Sequence, residues 1–275
     1  MSDFDTIEKH WSRGDIGEAI LAALTEAGKD PDNLKPEDLA AVDEFHVRGR
    51  EATLEFAPRL KLDTSKHVLD VGSGVGGPSR LLASEFGCRV TGLDLTEEYC
   101  QVAGMLAHRT GLEEHVSYRQ GNALNMPFEN GMFDAEITQH MAMNIEDKAA
   151  LYAEMFRVLK PGGLMGLYDV LQGAEGDVYF PVPWAREPSI SFLATPEELR
   201  SLLEAAGFEV LHWRDTTELG CEWFRDKVEA AKKSGPPPLG FHLLMGPDFG
   251  EMARNQLRNL EENRIALVDT VCRKP

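Results

Sequence analysis

Gly72, Gly74 and Gly77 follow an apolar run, Val68-Leu-Asp-Val71, and precede a helix-like segment opened by Pro78. Glycine lacks a Cβ, so this spacing lets the chain turn sharply after a strand and approach a ligand with bare backbone. The three glycines also satisfy G-x-G-x-x-G, which brings a dinucleotide site into consideration first. Asp70 stands two residues before Gly72, where a pyrophosphate would dock. Its charge disfavours a dianion and suits a ligand with an amino group or a cationic centre. Asp94, in Gly92-Leu-Asp-Leu95 at the end of the next apolar strand, is placed to hydrogen-bond a ribose diol.

Other residues could move protons or hold a substrate. His140 ends the run Phe133-Asp-Ala-Glu-Ile-Thr-Gln-His140, and Tyr168 and Asp169 end Leu164-Met-Gly-Leu-Tyr-Asp-Val170. With His46, these are the candidates for a general base. His140 reads either as that base or as a hydrogen-bonded histidine capping its strand. Asp169 reads either as the partner of a cationic amine or as a loop cap. Tyr179, Phe180 and Trp184 either cage a methylated ammonium with their ring faces or pack beneath a long loop. Trp213, Trp223 and Phe224 read as core or lid packing, and His242 as a surface-loop residue. Cys88, Cys100, Cys221 and Cys272 form no C-x-x-C pair and no zinc spacing, so free thiols are expected and no metal site.

The elements that must position these residues alternate. Strands are predicted at 67–71, 89–94, 116–120, 133–140, 164–170, 208–214 and 264–272. Helices are predicted at 79–86, 96–109, 148–159, 196–206, 218–233 and 248–262. Such alternation is the pattern of a parallel sheet covered by helices on both faces, an α/β doubly wound fold. Upstream, the periodicity predicts helices over 4–13 and 16–27, with Asp15 as a cap and Gly14 and Gly28 as stops. A third covers 36–56, where Gly49 marks a break or a close backbone contact. Thr96 is expected to cap the helix that follows it. The division expected is an N-terminal helical cap at 1–60 and one α/β domain at 61–275, interrupted by substrate lids or loops at 171–195 and 235–247. Long connections in a compact domain are usually functional or disordered, and the aromatics of 171–195 argue against disorder.

The 275 residues are 43% apolar, enough for a sizeable core, and carry 28 basic against 46 acidic side chains, a net charge of −18. Such a field repels nucleic acid and anionic membranes and favours neutral or cationic partners, or serves solubility or a salty habitat. No run approaches the roughly 18 apolar residues of a membrane span, and the first residues lack the basic and apolar regions of a leader, so a cytoplasmic protein is expected. A monomer and a homodimer both remain open.

The motifs Val68-Leu-Asp-Val-Gly-Ser-Gly74, Gly92-Leu-Asp-Leu95, Gly121-Asn-Ala123 with Met126-Pro-Phe128, Phe133-Asp134 and Arg157-Val-Leu-Lys-Pro-Gly-Gly163 occur in order. Together they resemble the core of class I S-adenosylmethionine (SAM)-dependent methyltransferases over residues 66–170. The flanks 43–53 and 138–144 are most similar to small-molecule N-methyltransferases of the sarcosine/dimethylglycine type, with phosphoethanolamine and ubiquinone-pathway methyltransferases more distant. The resemblance implies a Rossmann-like seven-stranded sheet with an antiparallel last strand and SAM as cofactor. It implies that Gly72, Ser73 and Gly74 face the methionine part of SAM, Asp94 its ribose, Leu95, Asn122 and Ala123 its adenine, and Gln139 its amino group. His46 would close over the cofactor, although Arg48 stands where that family more often has glycine.

The reading that follows is methyl transfer from SAM by in-line displacement to a small-molecule acceptor, an amine nitrogen first. His140, Asp169 and Tyr168 are its candidate catalytic residues, and Tyr179, Phe180 and Trp184 its candidate substrate contacts. Thiol, phenol or quinone-like carbon acceptors are the alternatives. A nicotinamide-dependent oxidoreductase and a non-catalytic SAM-binding module are the competing classes. Nucleic-acid methylation is disfavoured by the charge, and an Asn-Pro-Pro-Tyr-like tetrapeptide is absent where Gln139-His-Met-Ala142 stands.

Overall fold

A computed structural model describes residues 10–235 and 237–275. Strands β1 (His67–Val71), β2 (Arg89–Asp94), β3 (Val116–Gln120), β4 (Phe133–Gln139), β5 (Leu159–Gln172), β6 (Glu209–Asp215) and β7 (Ile265–Arg273) form one sheet. Its order is β3-β2-β1-β4-β5-β7-β6. β1 pairs in parallel with both β2 and β4, whereas β7 runs antiparallel to both neighbours. The doubly wound sheet with an antiparallel last strand is therefore the fold. Strand order reverses between β1 and β4, which opens a crevice beyond their carboxyl ends. That crevice brings the glycine turn after β1 beside His140 after β4.

Helices α1 (Ile16–Glu26), α2 (Pro36–Asp43), α3 (Gly49–Phe56), α4 (Gly77–Phe86), α5 (Glu97–Arg109), α6 (Lys148–Val158), α7 (Pro196–Ala205), α8 (Thr217–Ser234), α9 (His242–Met245) and α10 (Phe249–Glu261) surround the sheet. One face buries Val68, Val90, Ile137 and Val170 with Phe56 of α3 and Leu82 of α4. The other buries Leu69, Val71, Met165 and Leu167 with α6 and α7. A third cluster joins Ile16, Ile20 and Leu39 of the N-terminal helices to Val102 and Leu106 of α5.

Several local expectations change. The helix expected at 4–13 lies largely outside the described residues, with only its last turn, at His10 and Trp11, visible. Asp15 makes no capping bond to α1. Glu98 of α5 does that work instead, accepting from the amides of Arg13, Gly14 and Ile16 at 2.8, 2.8 and 3.1 Å. Thr96 does not cap α5 through its side chain, because Asp94 Oδ1 takes the Thr96 amide at 2.9 Å. The turn at 160–163 is absorbed into a longer β5, since Gly162 donates to the Lys274 carbonyl at 2.7 Å.

The helix expected over 36–56 is two helices. Arg48 and Gly49 both take left-handed backbone, at φ 67° and 47°, and an α-helix cannot continue through such residues. Arg48 holds this conformation while its guanidinium forks onto Glu55, donating through Nη1 at 3.0 Å. The intervening segment carries Glu44 and His46 across the glycine turn. It is seated by a close approach: a Cβ on Gly77 would lie 2.1 Å from the Asp43 carbonyl oxygen. The Arg80 guanidinium donates to Asp43 Oδ2 at 2.7 Å, with both side chains out of solvent.

Removing one member of a buried ion pair leaves a charge without compensation. Arg80→Met is expected to cost about 3–5 kcal/mol of unfolding free energy, measured by urea titration; a loss below about 1 kcal/mol would show that Asp43 is solvated or otherwise paired.

Candidate functional site

The turn after β1 is tied to β2, because the amides of Gly72 and Ser73 both donate to the Leu93 carbonyl, at 2.8 and 3.1 Å. The side chain of Met141 fills the place of a Cβ on Gly72, its Cγ 2.4 Å from that point. Gly74 differs. It sits at φ 53°, and nothing lies within 4 Å of where its Cβ would be. Bare backbone therefore faces open space at the crevice. Beside it, the buried Ser73 hydroxyl has no partner among the described residues.

Asp94 is held by its neighbours, accepting from the Gly74 amide at 2.8 Å through Oδ2 and from Thr96 through Oδ1. Each oxygen keeps a further lone pair for a ligand hydroxyl. Asn122 closes a small turn by accepting from the Leu124 amide at 2.8 Å, which leaves its NH2 uncommitted. Asp70 accepts from Ser79 Oγ at 2.6 Å, and burial pushes its carboxyl up to about 7.

A polar net spans the break between α2 and α3. His46 Nε2 lies 3.0 Å from Thr53 Oγ1 and 3.4 Å from Glu44 Oε2, and Gln139 Nε2 donates to Thr53 Oγ1 at 3.1 Å. Burial, and then the neighbouring Asp43 carboxylate, push the Glu44 carboxyl up to about 8. Opposite stands His140, with ring centres 6.0 Å from His46 and 4.9 Å from Tyr168. His140 takes left-handed backbone at φ 49°, a conformation costing on the order of 1–3 kcal/mol outside glycine. Its amide donates to the Tyr168 carbonyl at 2.8 Å. Burial depresses both imidazoles, His46 to about 3 and His140 well below the usual histidine range. Both rings are neutral at physiological pH, and His46 Nδ1 and His140 Nε2 have no partner among the described residues.

Two spaces meet at these histidines. A cleft of about 1060 Å3, open to solvent, runs over Gly74, Asp94 and Asn122. A second, smaller chamber, also open to solvent, shares Trp11, Phe45, His46 and His140 with it. Val47, Trp184, Trp223, Phe224, Phe241 and Phe249 form its other walls. Asn144 pins its lid, donating to the carbonyls of Trp184 and Ile190 at 2.8 Å each.

Gly72, Ser73, Gly74, Asp94, Leu95, Asn122, Ala123, Gln139 and His46 all line the cleft, and His140 lines both spaces. The other sequence-derived candidates divide. Trp184 lines the chamber. Tyr168 is buried behind the histidines and lines neither space. Asp169 points to the opposite face of β5, as strand alternation demands of Tyr168's neighbour. It accepts there from its own strand's Val170 amide, with the Lys148 charge nearby. Tyr179 and Phe180 do not face the chamber. The guanidinium carbons of Arg258 and Arg264 lie 3.6 and 4.1 Å from the centre of the Tyr179 ring, so the protein's own cations occupy it. Phe180 packs on the core. The cage of Tyr179, Phe180 and Trp184 is therefore not assembled.

The sequence reading had Trp223 and Phe224 on α8 as core or lid packing and did not single out Phe241 and Phe249 beside α9; all four wall the chamber. Their aromatic character was the only signal, and it does not separate a pocket wall from a core.

Residues 69–167 match the methyltransferase-domain family. The chain is 30% identical over 221 residues to methyltransferase GfsG of Streptomyces halstedii, covering 78% of this chain and 74% of that protein. It is 34% identical over 169 residues to sterol 24-C-methyltransferase ERG6B of Gibberella zeae, covering 58% of this chain but only 44% of the relative. The chain thus spans less than half the length of that sterol methyltransferase. Among solved structures, phosphoethanolamine N-methyltransferase 2 of Haemonchus contortus with bound SAM aligns at a TM-score of 0.76 and 19% identity, over 100% of this chain and 60% of the other. The fold and the glycine-turn site define a Rossmann-like nucleoside-cofactor protein. The chain belongs to the class I SAM-dependent methyltransferases, whose cofactor is SAM.

The cleft fits that cofactor. Open space over Gly74, an oriented carboxylate at Asp94 and the uncommitted Ser73 hydroxyl are what an uncharged sugar and an amino-acid tail require. Asp94→Ala is expected to weaken SAM binding about 5- to 150-fold, the loss of roughly 1–3 kcal/mol of charge-assisted hydrogen bonding. Calorimetry checks this, and an unchanged affinity would remove Asp94 from the site.

Proposed function

We propose that this chain methylates a small molecule with an uncharged, apolar body, seated in the aromatic chamber with its nucleophilic atom at the border formed by His46 and His140. One observation carries the reading: among the described residues, neither the cleft nor the chamber has a Lys or Arg in its lining. A sarcosine- or dimethylglycine-like acceptor would bring a carboxylate into this interior without a counter-charge, at a cost of several kcal/mol. The same argument applies to a phosphorylated amine. An amine acceptor of the expected kind is therefore supported only in an apolar form, beside oxygen, sulfur or carbon nucleophiles. The two relatives named for a substrate act on a sterol carbon and a phosphoethanolamine nitrogen, so family likeness alone does not choose.

Bound SAM supplies a sulfonium whose methyl is already electrophilic, so the protein's part is alignment and exclusion of water. With an acceptor seated, the aromatic walls and the segment pinned by Asn144 would keep water from the reacting atoms. His140 lines both spaces at the border, and its neutral imidazole offers one nitrogen lone pair. That nitrogen can accept the proton an oxygen or sulfur acceptor releases. Its depressed basicity suits transfer that occurs as the new bond forms rather than beforehand. Tyr168, behind the ring, fixes His140 through its carbonyl.

Three outcomes are expected. In a labelled-methyl screen, phenols, hydrophobic alcohols and apolar tertiary amines include substrates, whereas glycine, sarcosine and phosphoethanolamine do not turn over; sarcosine turnover exceeding that of every apolar acceptor would falsify the reading. With an oxygen or sulfur acceptor, His140→Gln lowers kcat by about 10²–10⁴-fold with little change in KM. Because burial lowers the His140 pKa, the ring stays neutral as pH falls through the usual histidine range. The rate profile therefore shows no acid limb near pH 6.5, and such a limb, lost in His140→Gln, would mean the ring is solvated.

A further inference from the structure

Helix α10 turns a stripe of Met252, Gln256, Asn259 and Leu260 inward, each buried. The two amides on this stripe have different fates. Asn259 is engaged at both ends: it accepts from the Tyr179 amide at 2.9 Å and donates to the Tyr179 carbonyl at 3.0 Å. Asn255, next to Gln256 in sequence, likewise donates to the Pro181 carbonyl at 3.0 Å. Between them these asparagines fasten the 171–195 insertion to α10. Gln256 is only 2% exposed, yet its amide makes no hydrogen bond with any described residue. It lines the chamber and is absent from the lining of the cleft.

A primary amide has two donors and an acceptor with two lone pairs. Set among aromatic walls with no protein partner among the described residues, such an amide is available to a bound group, and a purely apolar chamber would be served as well by a leucine of similar volume. Apart from the two border histidines, no other chamber residue offers a polar side chain beyond the indole nitrogens, and that of Trp184 already donates to Ser191 Oγ at 2.9 Å.

We infer that Gln256 is a specificity-determining residue, hydrogen-bonding a neutral polar substituent, a hydroxyl or a carbonyl, on the otherwise apolar acceptor. This rests on the chamber being the acceptor site. The acceptor then has two functional ends: a nucleophile at the histidine border, and an uncharged oxygen reached by α10. A site built to hydrogen-bond such a group discriminates against the analogue lacking it, because the amide is otherwise left unpaired.

Three of the four tryptophans, Trp11, Trp184 and Trp223, line the chamber, so intrinsic fluorescence reports its occupancy without turnover. The test titrates cyclododecane, cyclododecanol and cyclododecanone into the full chain with SAM present, for the wild type and Gln256→Leu. In the wild type the alcohol and ketone are expected to bind roughly three- to tenfold tighter than the hydrocarbon, the worth of one net hydrogen bond. Gln256→Leu is expected to abolish that preference, retain the hydrocarbon, and melt at or above the wild-type temperature. Equal wild-type affinities for all three, or a preference that survives Gln256→Leu, overturns the assignment. So does a melting temperature lowered by several degrees, which would show the amide satisfied within the fold. Binding of none of the three overturns the acceptor chamber itself, and this inference with it.

Discussion

The seating of Asp43 on the glycine turn is the contact on which the site depends. Gly77 has no Cβ because the Asp43 carbonyl occupies that volume, and Arg80, one turn further along α4, takes the Asp43 carboxylate. The pair lies in the interior, where its attraction is little screened and each charge needs the other. Once α2 ends there, the next residues must cross the crevice, and the left-handed pair Arg48–Gly49 turns the chain into α3. His46 reaches the cleft as a result. The third glycine of the motif is thus a packing requirement between two helices, whereas Gly74 turns bare backbone to the open cleft.

Around that crossing, the interior is tuned towards neutrality. The molecule carries a net charge of −18, yet two of its buried acids, Glu44 and Asp70, are pushed up to about 8 and 7, and both border histidines are held uncharged by the same desolvation. As pH rises from about 4 towards 8, ionising these two acids works against the fold, because their folded-state values exceed the unfolded ones. The charge that keeps the surface hydrated is therefore kept off the chamber walls, and an ionic acceptor would meet aromatic rings instead of a counter-ion. His140 sits in strained backbone at the boundary, a conformation retained because β4, the Tyr168 carbonyl and the packed rings determine it together.

Much of this was legible in the chain. Alternating apolar runs and turn signals gave all seven strands, since a parallel sheet buried on both faces leaves continuous apolar segments. The lining of the cleft was readable because its residues follow strand ends at short range: Gly72 to Gly74 after β1, Asp94 at the end of β2, Asn122 after β3, and Gln139 and His140 at the end of β4. The errors were of two kinds. Tyr168 and Asp169 were adjacent candidates, but a strand sends neighbours to opposite faces, and Asp169 went to α6. Tyr179 had the right chemistry for a cation, and Arg258 and Arg264 supplied that cation from within the protein.

The sequence by itself determined the seven strands, the glycine turn and the carboxylate at the end of β2, because these follow from patterns within single strand–turn–helix units. Only the tertiary structure decided the chamber. Trp11, Phe45, Trp184, Trp223, Phe241 and Gln256 come from six separate segments of the chain. An aromatic side chain looks the same in sequence whether it fills a core or walls a chamber. What distinguishes the two is the space left when α8, α10 and the 171–195 insertion close over the histidines, and that space is a property of the packing between segments.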